Sequence, residues 1–172
     1  MDFIDTVIMS RASVRSFTGE AIPQDTILRI LKAGMAAPSA MNCQPWEFVL
    51  VTDRSRLNEL CAELPYAKML EKAGAAIVIC GNPGKDASSA RHWNDDCAAA
   101  SENILLAAHS LGLGAVWTAV NPDPARLESV RRILGIPAGI VPLNVIPLGV
   151  IDGKAPAPKD KWNPKIVHFE KW

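Results

Sequence analysis

The chain has no surplus of either charge, since 18 lysines and arginines are balanced by 18 aspartates and glutamates. That balance excludes the strongly basic surface of a nucleic-acid-binding protein, and a hydrophobic content of 49% excludes a disordered one. No segment reaches the ~18 uninterrupted apolar residues of a membrane span. The opening Met1-Asp2-Phe3-Ile4-Asp5 lacks the positive region and apolar stretch of a signal peptide. The expectation is an unexported, cytoplasmic protein without a membrane partner. Cys43, Cys61, Cys80 and Cys97 form no CxxC pair and no zinc-finger spacing, which points to reduced thiols. His92, His109 and His168 stand apart from one another, so neither a metal site nor a histidine general base is legible. Gly112-Leu113-Gly114 lacks the third glycine of a dinucleotide fingerprint, Gly81 to Asp86 lacks P-loop spacing, and no GxSxG elbow exists.

What is present fits one domain over residues 1–172. Phe3, Ile4, Val7 and Ile8 mark a short helix running into the cationic stretch Ser10 to Arg15. A second helix starts at Pro23 and ends near Gly34, followed by the polar loop Pro38 to Asn42. Strands are expected at 47–51, 75–80, 115–119 and 145–151, with Pro147 arguing for an edge or a bulge in the last. Helices are expected at 55–64 and 93–111, and at 124–134 with Asp123 as N-cap. The 93–111 helix is apolar nearly all round, so it must be covered on nearly all sides, and a second copy of the chain is one source of that cover. After Ile151 a Pro- and Lys-rich stretch is irregular. Ile166 to Phe169 then looks β-prone between Trp162 and Trp172, a terminus apolar enough to dock on something.

One constellation suggests chemistry. Arg11-Ala12-Ser13-Val14-Arg15 sets a hydroxyl between two guanidinium groups at alternate positions, so an extended backbone can aim all three one way. That is either a grip for a phosphate, through charge-assisted bonds, or a solvated surface loop; spacing alone leaves both open.

Four stretches taken in order carry a resemblance. Arg11 to Phe17, Ala37-Pro38-Ser39-Ala40-Met41-Asn42-Cys43-Gln44-Pro45-Trp46-Glu47-Phe48, Ser101 to Ala108, and Leu111-Gly112-Leu113-Gly114-Ala115-Val116-Trp117 resemble the ordered motifs of the nitroreductase family over nearly the whole chain. The resemblance implies an α+β fold with a central mixed β-sheet flanked by helices. It also implies an intertwined homodimer with FMN between the subunits, NADH or NADPH as reductant, and a small-molecule electron acceptor such as a nitroaromatic or quinone. By the same resemblance Arg11, Ala12, Ser13 and Arg15 hold the FMN phosphate and ribityl chain, and Lys159 and Lys161 close on the phosphate. Pro38, Ser39, Ala40, Met41 and Asn42 reach the flavin of the other subunit. Trp117, Thr118 and Ala119 meet the pyrimidine edge and N5 through backbone or the Thr118 hydroxyl, where several members carry a polar or acidic side chain. Lys68 either approaches the N1–O2 edge or is a surface lysine. The tail from 152 to 172 extends onto the partner subunit. The cofactor then carries the chemistry and no protein nucleophile is needed. Two other readings remain: a flavin-fragmenting or dehalogenating relative, for whose lid the short connections after Val51 and Gly81 leave little room, and a flavin-binding sensor or storage protein.

Overall fold

A computed structural model describes residues 2–172. After a π-helical turn at Ile4–Ile8 come α1 (Gln24–Met35), β1 (Trp46–Val51), α2 (Arg54–Glu63), β2 (Ala75–Gly81) and α3 (Ser89–Ser110). Then follow β3 (Leu113–Ala115), β4 (Thr118–Ala119), α4 (Pro124–Leu134) and β5 (Val141–Val150). Short 3-10 turns lie at Ala40–Asn42, Lys68–Lys72 and Pro164–Ile166. Local chemistry explains several boundaries. Asp53 and Asp123 cap α2 and α4 by accepting the N–H of Arg56 and of Arg126, each at 3.0 Å. Gly135, at φ 66°, ends α4 in the left-handed conformation that glycine adopts without strain.

The sheet runs β1-β2-β5-β3, with β4 also on β5, and every pairing among the described residues is antiparallel. Helices cover both faces, which is the α+β arrangement expected. Alternation along β2 shows why: Ala75, Ile77 and Ile79 join the core under α1 and α3, and Ala76, Val78 and Cys80 join the core under α2 and α4. Gly34 does not end α1 but lies inside it, where an added Cβ would meet the Ile104 side chain of α3 at 2.9 Å. Residues of α3 are buried along Cys97, Ala100, Ser101, Ile104 and Ala108, while Asp95 and Glu102 face outward and Ala99 and Leu106 are half-buried. One side of this apolar helix therefore lacks cover within its own chain.

Pro147 corrects an expectation, because it lies in β5, a central strand, and no bulge falls at it. The register from Leu113↔Val150 to Ala115↔Leu148 resumes unchanged at Thr118↔Val145. Thus β3 and β4 are one edge strand, interrupted where Val116 and Trp117 pass Pro147 and Ile146. Val145 accepts the Thr118 hydroxyl on this side and Leu148 accepts the Gly74 N–H on the other. By alternation Pro147 turns its donorless nitrogen toward the interruption. The sheet accommodates the proline by opening its neighbour.

The segment after the cationic loop crosses the sheet. Val14 donates to the Ala115 carbonyl at the outer edge of β3 (3.0 Å), and Thr18 donates to Val150 (3.0 Å) and Phe17 bridges Ile151 on the opposite side of β5. Between these anchors Phe17, 1% exposed, lies over Gly114 and Gly149, which face each other across the two strands.

The tail differs from its reading as well. Ile166 to Phe169 is not a strand, since a 3-10 turn at Pro164–Ile166 is followed by bends, and residues 152–172 are exposed throughout. Trp162 is 73%, Phe169 84% and Trp172 100% exposed, so these rings are not buried against their own chain. The chain exposes 9869 Å², whereas a compact monomer of its mass exposes roughly 8,200 Å².

The crossing at the paired glycines generates a prediction. A Cβ at Gly149 would lie 2.5–2.8 Å from three Phe17 atoms at the base of the ring. Gly149→Ala should destabilise the fold by about 1–3 kcal/mol through overpacking, whereas Gly139→Ala, with nothing within 4 Å, should be near neutral. Denaturant midpoints for the two variants check this; equal midpoints would show that the crossing tolerates a side chain.

Candidate functional site

A cavity of about 650 Å³ opens beside the cationic loop. Arg11, Ala12, Ser13 and Arg15 line one wall and Lys159 and Lys161 the other, so these six expected residues are brought together. Pro156, Pro158 and Trp162 add apolar surface from the tail, and Ile8 and Met9 from the first turn. Four cations and a hydroxyl converge with no carboxylate in the lining, a donor set suited to a phosphate dianion.

The Val14 to Ala115 bond fixes where this loop meets the sheet. At ~3.3 Å per residue, Ala119 lies about 13 Å farther along the same strand edge. Residues 115, 117 and 119 turn their backbone groups outward there: the Ala115 carbonyl accepts from Val14 and the Ala119 carbonyl from Arg126 Nη1 at 3.2 Å. The Thr118 hydroxyl donates inward to the Val145 carbonyl at 2.6 Å, which leaves the backbone of Trp117 and the Ala119 N–H facing the edge. Leu64 to Ala67 border Thr118 and Ala119, with the Arg126 guanidinium 5.1 Å above the Tyr66 ring. Lys68 follows directly, but its ammonium turns back to the Cys61 carbonyl at 3.1 Å.

Pro38 to Asn42 are not in the cavity. Their loop packs on α3, where Ala40 donates to Asp96 Oδ1 at 2.9 Å, and Met41 is 88% exposed. Asp96 and Glu102 are six residues apart, roughly 9 Å along the helix axis.

Two polar residues behind the cavity, Glu102 and His109, were given no role by the sequence reading. Glu102 pairs with Arg11 Nε at 3.2 Å, holding one edge of the guanidinium that lines the cavity. His109 Nε2 lies 2.7 Å from Ser10 Oγ, whose hydroxyl also lies 2.6 Å from the Thr6 carbonyl. The signal available for Glu102 and His109 was their spacing of seven on an otherwise apolar helix, which sets two polar groups on one face. Among the described residues no group of His, Cys, Asp and Glu is placed to hold a metal ion, and no helix is long and apolar enough to cross a membrane.

Burial first, and then the charge of Arg11, hold the His109 imidazole below its ordinary value of 6.5. The unfolded chain therefore takes up this proton before the folded one. The stability that neutral His109 contributes is present above pH 6.5 and is lost as pH falls from there through the lowered folded value. In His109→Gln the denaturant midpoint should fall less steeply below pH 6.5 than in the wild type; identical slopes would show that His109 does not set the acid limb.

Comparison with known proteins identifies the family. The Nitroreductase family model matches residues 8–65 and 60–150. A protein of Archaeoglobus fulgidus, provisionally named NADH dehydrogenase/NAD(P)H nitroreductase, is 42% identical over 168 residues, covering 96% of this chain and 97% of its own. A crystal structure from Parabacteroides distasonis with the same provisional name superposes at a TM-score of 0.92, with 46% identity over 99% of this chain and 98% of that one. An FMN-dependent nitroreductase from Clostridium difficile superposes at 0.89, with 28% identity over 98% and 99% of the two chains. With both the motifs and the fold matched over almost its full length, the chain belongs to the nitroreductase family.

Proposed function

We propose that this protein is an FMN-dependent NAD(P)H oxidoreductase that reduces a nitroaromatic, quinone or similar small acceptor, and that it works as a homodimer. The observation that carries the reading is the four-cation cavity at one end of an outward-facing strand edge. A ligand anionic at one end and flat, with hydrogen-bonding edges, at the other fits that arrangement, and FMN is such a ligand. The relatives named for FMN and NAD(P)H support the same assignment.

In this reading Arg11, Ser13 and Arg15 hold the phosphate, the Ala12 backbone flanks the ribityl chain, and Lys159 and Lys161 close over it. Glu102 keeps the Arg11 guanidinium turned so that its terminal nitrogens meet the phosphate. Trp117, Thr118 and Ala119 border the ring, with hydrogen bonds supplied by backbone because the Thr118 hydroxyl is engaged by Val145. Lys68 approaches the N1–O2 edge only if its ammonium leaves the Cys61 carbonyl. FMN held by these residues would supply the hydride chemistry between a nicotinamide and the acceptor, and with one open face to share, the two substrates would bind in turn, a ping-pong cycle. The protein's share is to bind and orient. Only Thr52 and Asp53 separate β1 from α2, and seven residues separate β2 from α3. Neither connection holds a lid, which favours simple reduction in an open pocket over the flavin-fragmenting and dehalogenating alternatives.

The homodimer rests on surface that one chain leaves bare. Phe3, Ile4, Ile8 and Met9 are 46–62% exposed, α3 is only half-covered along Ala99 and Leu106, and the apolar tail beyond Trp162 touches little of its own chain. A second copy covers these together, brings Pro38 to Asn42 to the partner's flavin, and receives the tail. Each indole can bury ~150–250 Å², so docking contributes several kcal/mol at ~25 cal/mol per Å².

Purified protein should be yellow and should oxidise NAD(P)H with an added acceptor, giving parallel double-reciprocal lines. Arg11→Ala should lose about ten-fold or more in FMN affinity, the worth of a charge-assisted bond; equal affinity by fluorescence titration would displace the phosphate from this cavity. A chain ending at Gly153 should lose FMN and the dimer together in sedimentation. If that shortened chain stays yellow and dimeric, Lys159, Lys161 and the tail have no part in the site.

A further inference from the structure

The loop that sets Pro38 to Asn42 carries two unfavourable features, and they meet at one residue. Met41, Asn42 and Gln44 lie at φ 52°, 54° and 49°, the left-handed region that non-glycine residues rarely occupy without being held there. The braces at the far end are visible: Gln44 N–H donates to Ser39 Oγ at 3.0 Å, and Lys85 Nζ donates to the Gln44 carbonyl at 2.7 Å. At the near end the turn closes on itself, Asn42 N–H donating to the Ser39 carbonyl and Cys43 N–H to the Ala40 carbonyl, each at 3.0 Å, and the brace from outside the loop is the Ala40 N–H to Asp96 Oδ1 at 2.9 Å. Asp96 is 6% exposed, and its Oδ2 is buried with no partner among the described residues. A half-satisfied buried carboxylate is destabilising in itself, and its one bond is to this loop.

We propose that Asp96 is the positioning residue of the Ser39 to Gln44 loop, acting through the Ala40 amide to hold Met41 and Asn42 in the left-handed conformation that presents them to the flavin ring. The part concerning the ring rests on the function proposed above; the part concerning the loop does not. Phosphate binding is left to the cationic cavity, so Asp96 acts on the ring's surroundings rather than on the cofactor's anchorage.

The experiment compares wild type, Asp96→Ala and Asp96→Asn, the last of which keeps an oxygen to accept from Ala40. In the cofactor-free protein, hydrogen exchange over residues 40–44 should quicken in Asp96→Ala and return toward wild type in Asp96→Asn. In the FMN-loaded protein, Asp96→Ala should change the flavin's visible circular dichroism and lower kcat/KM roughly ten- to a hundred-fold, as small misplacements of contacting groups do, while FMN affinity stays near that of wild type. Unchanged exchange and dichroism in Asp96→Ala overturns the inference, as does an Asp96→Asn variant no better than Asp96→Ala. Should Asp96→Ala fail to fold, Ala40→Pro removes the same bond from the loop side, and Ser39 at φ −141°, ψ 152° already has the conformation a following proline requires. Wild-type exchange and dichroism in Ala40→Pro overturns the inference equally. If wild type takes up no FMN, the proposed function fails, while the exchange measurements still decide whether Asp96 sets the loop.

Discussion

The structure depends on a crossing: residues 14–18 pass over the sheet from the outer edge of β3 to the far side of β5, and Phe17 lies on Gly114 and Gly149 as they pair. A side chain at either glycine would lift the segment off the strands. With both absent, Phe17 is sealed into the core and the backbone at Val14 bonds to Ala115. The cationic loop is thereby fixed to a sheet that is buried on both faces. A flexible loop would have to be ordered by the ligand at an entropic cost; this one is ordered by the fold.

From that anchor the rest of the site follows along two elements. The interrupted edge strand supplies outward backbone at regular spacing, and its interruption is the consequence of Pro147 in the neighbouring strand. Helix α3 supplies the carboxylates that hold the loops on it: Asp96 at Ala40 and Glu102 at Arg11, with His109 under Ser10 one further stretch along. A helix with an apolar surface toward the sheet and a few polar groups at its flank serves as both core and jig.

The unpaired apolar surface of the first turn, the open side of α3 and the tail form a second level of organisation. The chain exposes 9869 Å² against roughly 8,200 Å² for a compact monomer of its mass. Within one chain the cavity gathers the phosphate-binding set, whereas Pro38 to Asn42 lie apart from it on α3. The homodimer proposed above accounts for both facts.

Sequence alone determined the helices and strands whose periodicity is set by local burial. The 124–134 helix with its Asp123 cap matches at both ends, and β1, β2, α1 and α2 match within a residue or two. It also singled out Arg11, Ser13 and Arg15 as a candidate phosphate grip, and the family resemblance added Lys159 and Lys161, which line the same cavity. Four things were decided only in three dimensions. The start of β5 at Val141 was hidden because Pro142 and Asn144 look like turn residues until Asn144 is seen bonding Ser101 in the core at 2.9 Å. The place of Pro147 in a central strand depended on the neighbour that gives way. The β-prone tail found no strand to pair with in its own chain, and β-structure needs a partner that sequence does not specify. Asp96, Glu102 and His109 read as scattered polar residues, since what gives each its role is the loop packed on it from elsewhere in the chain, and that proximity exists only once the sheet has brought the segments together.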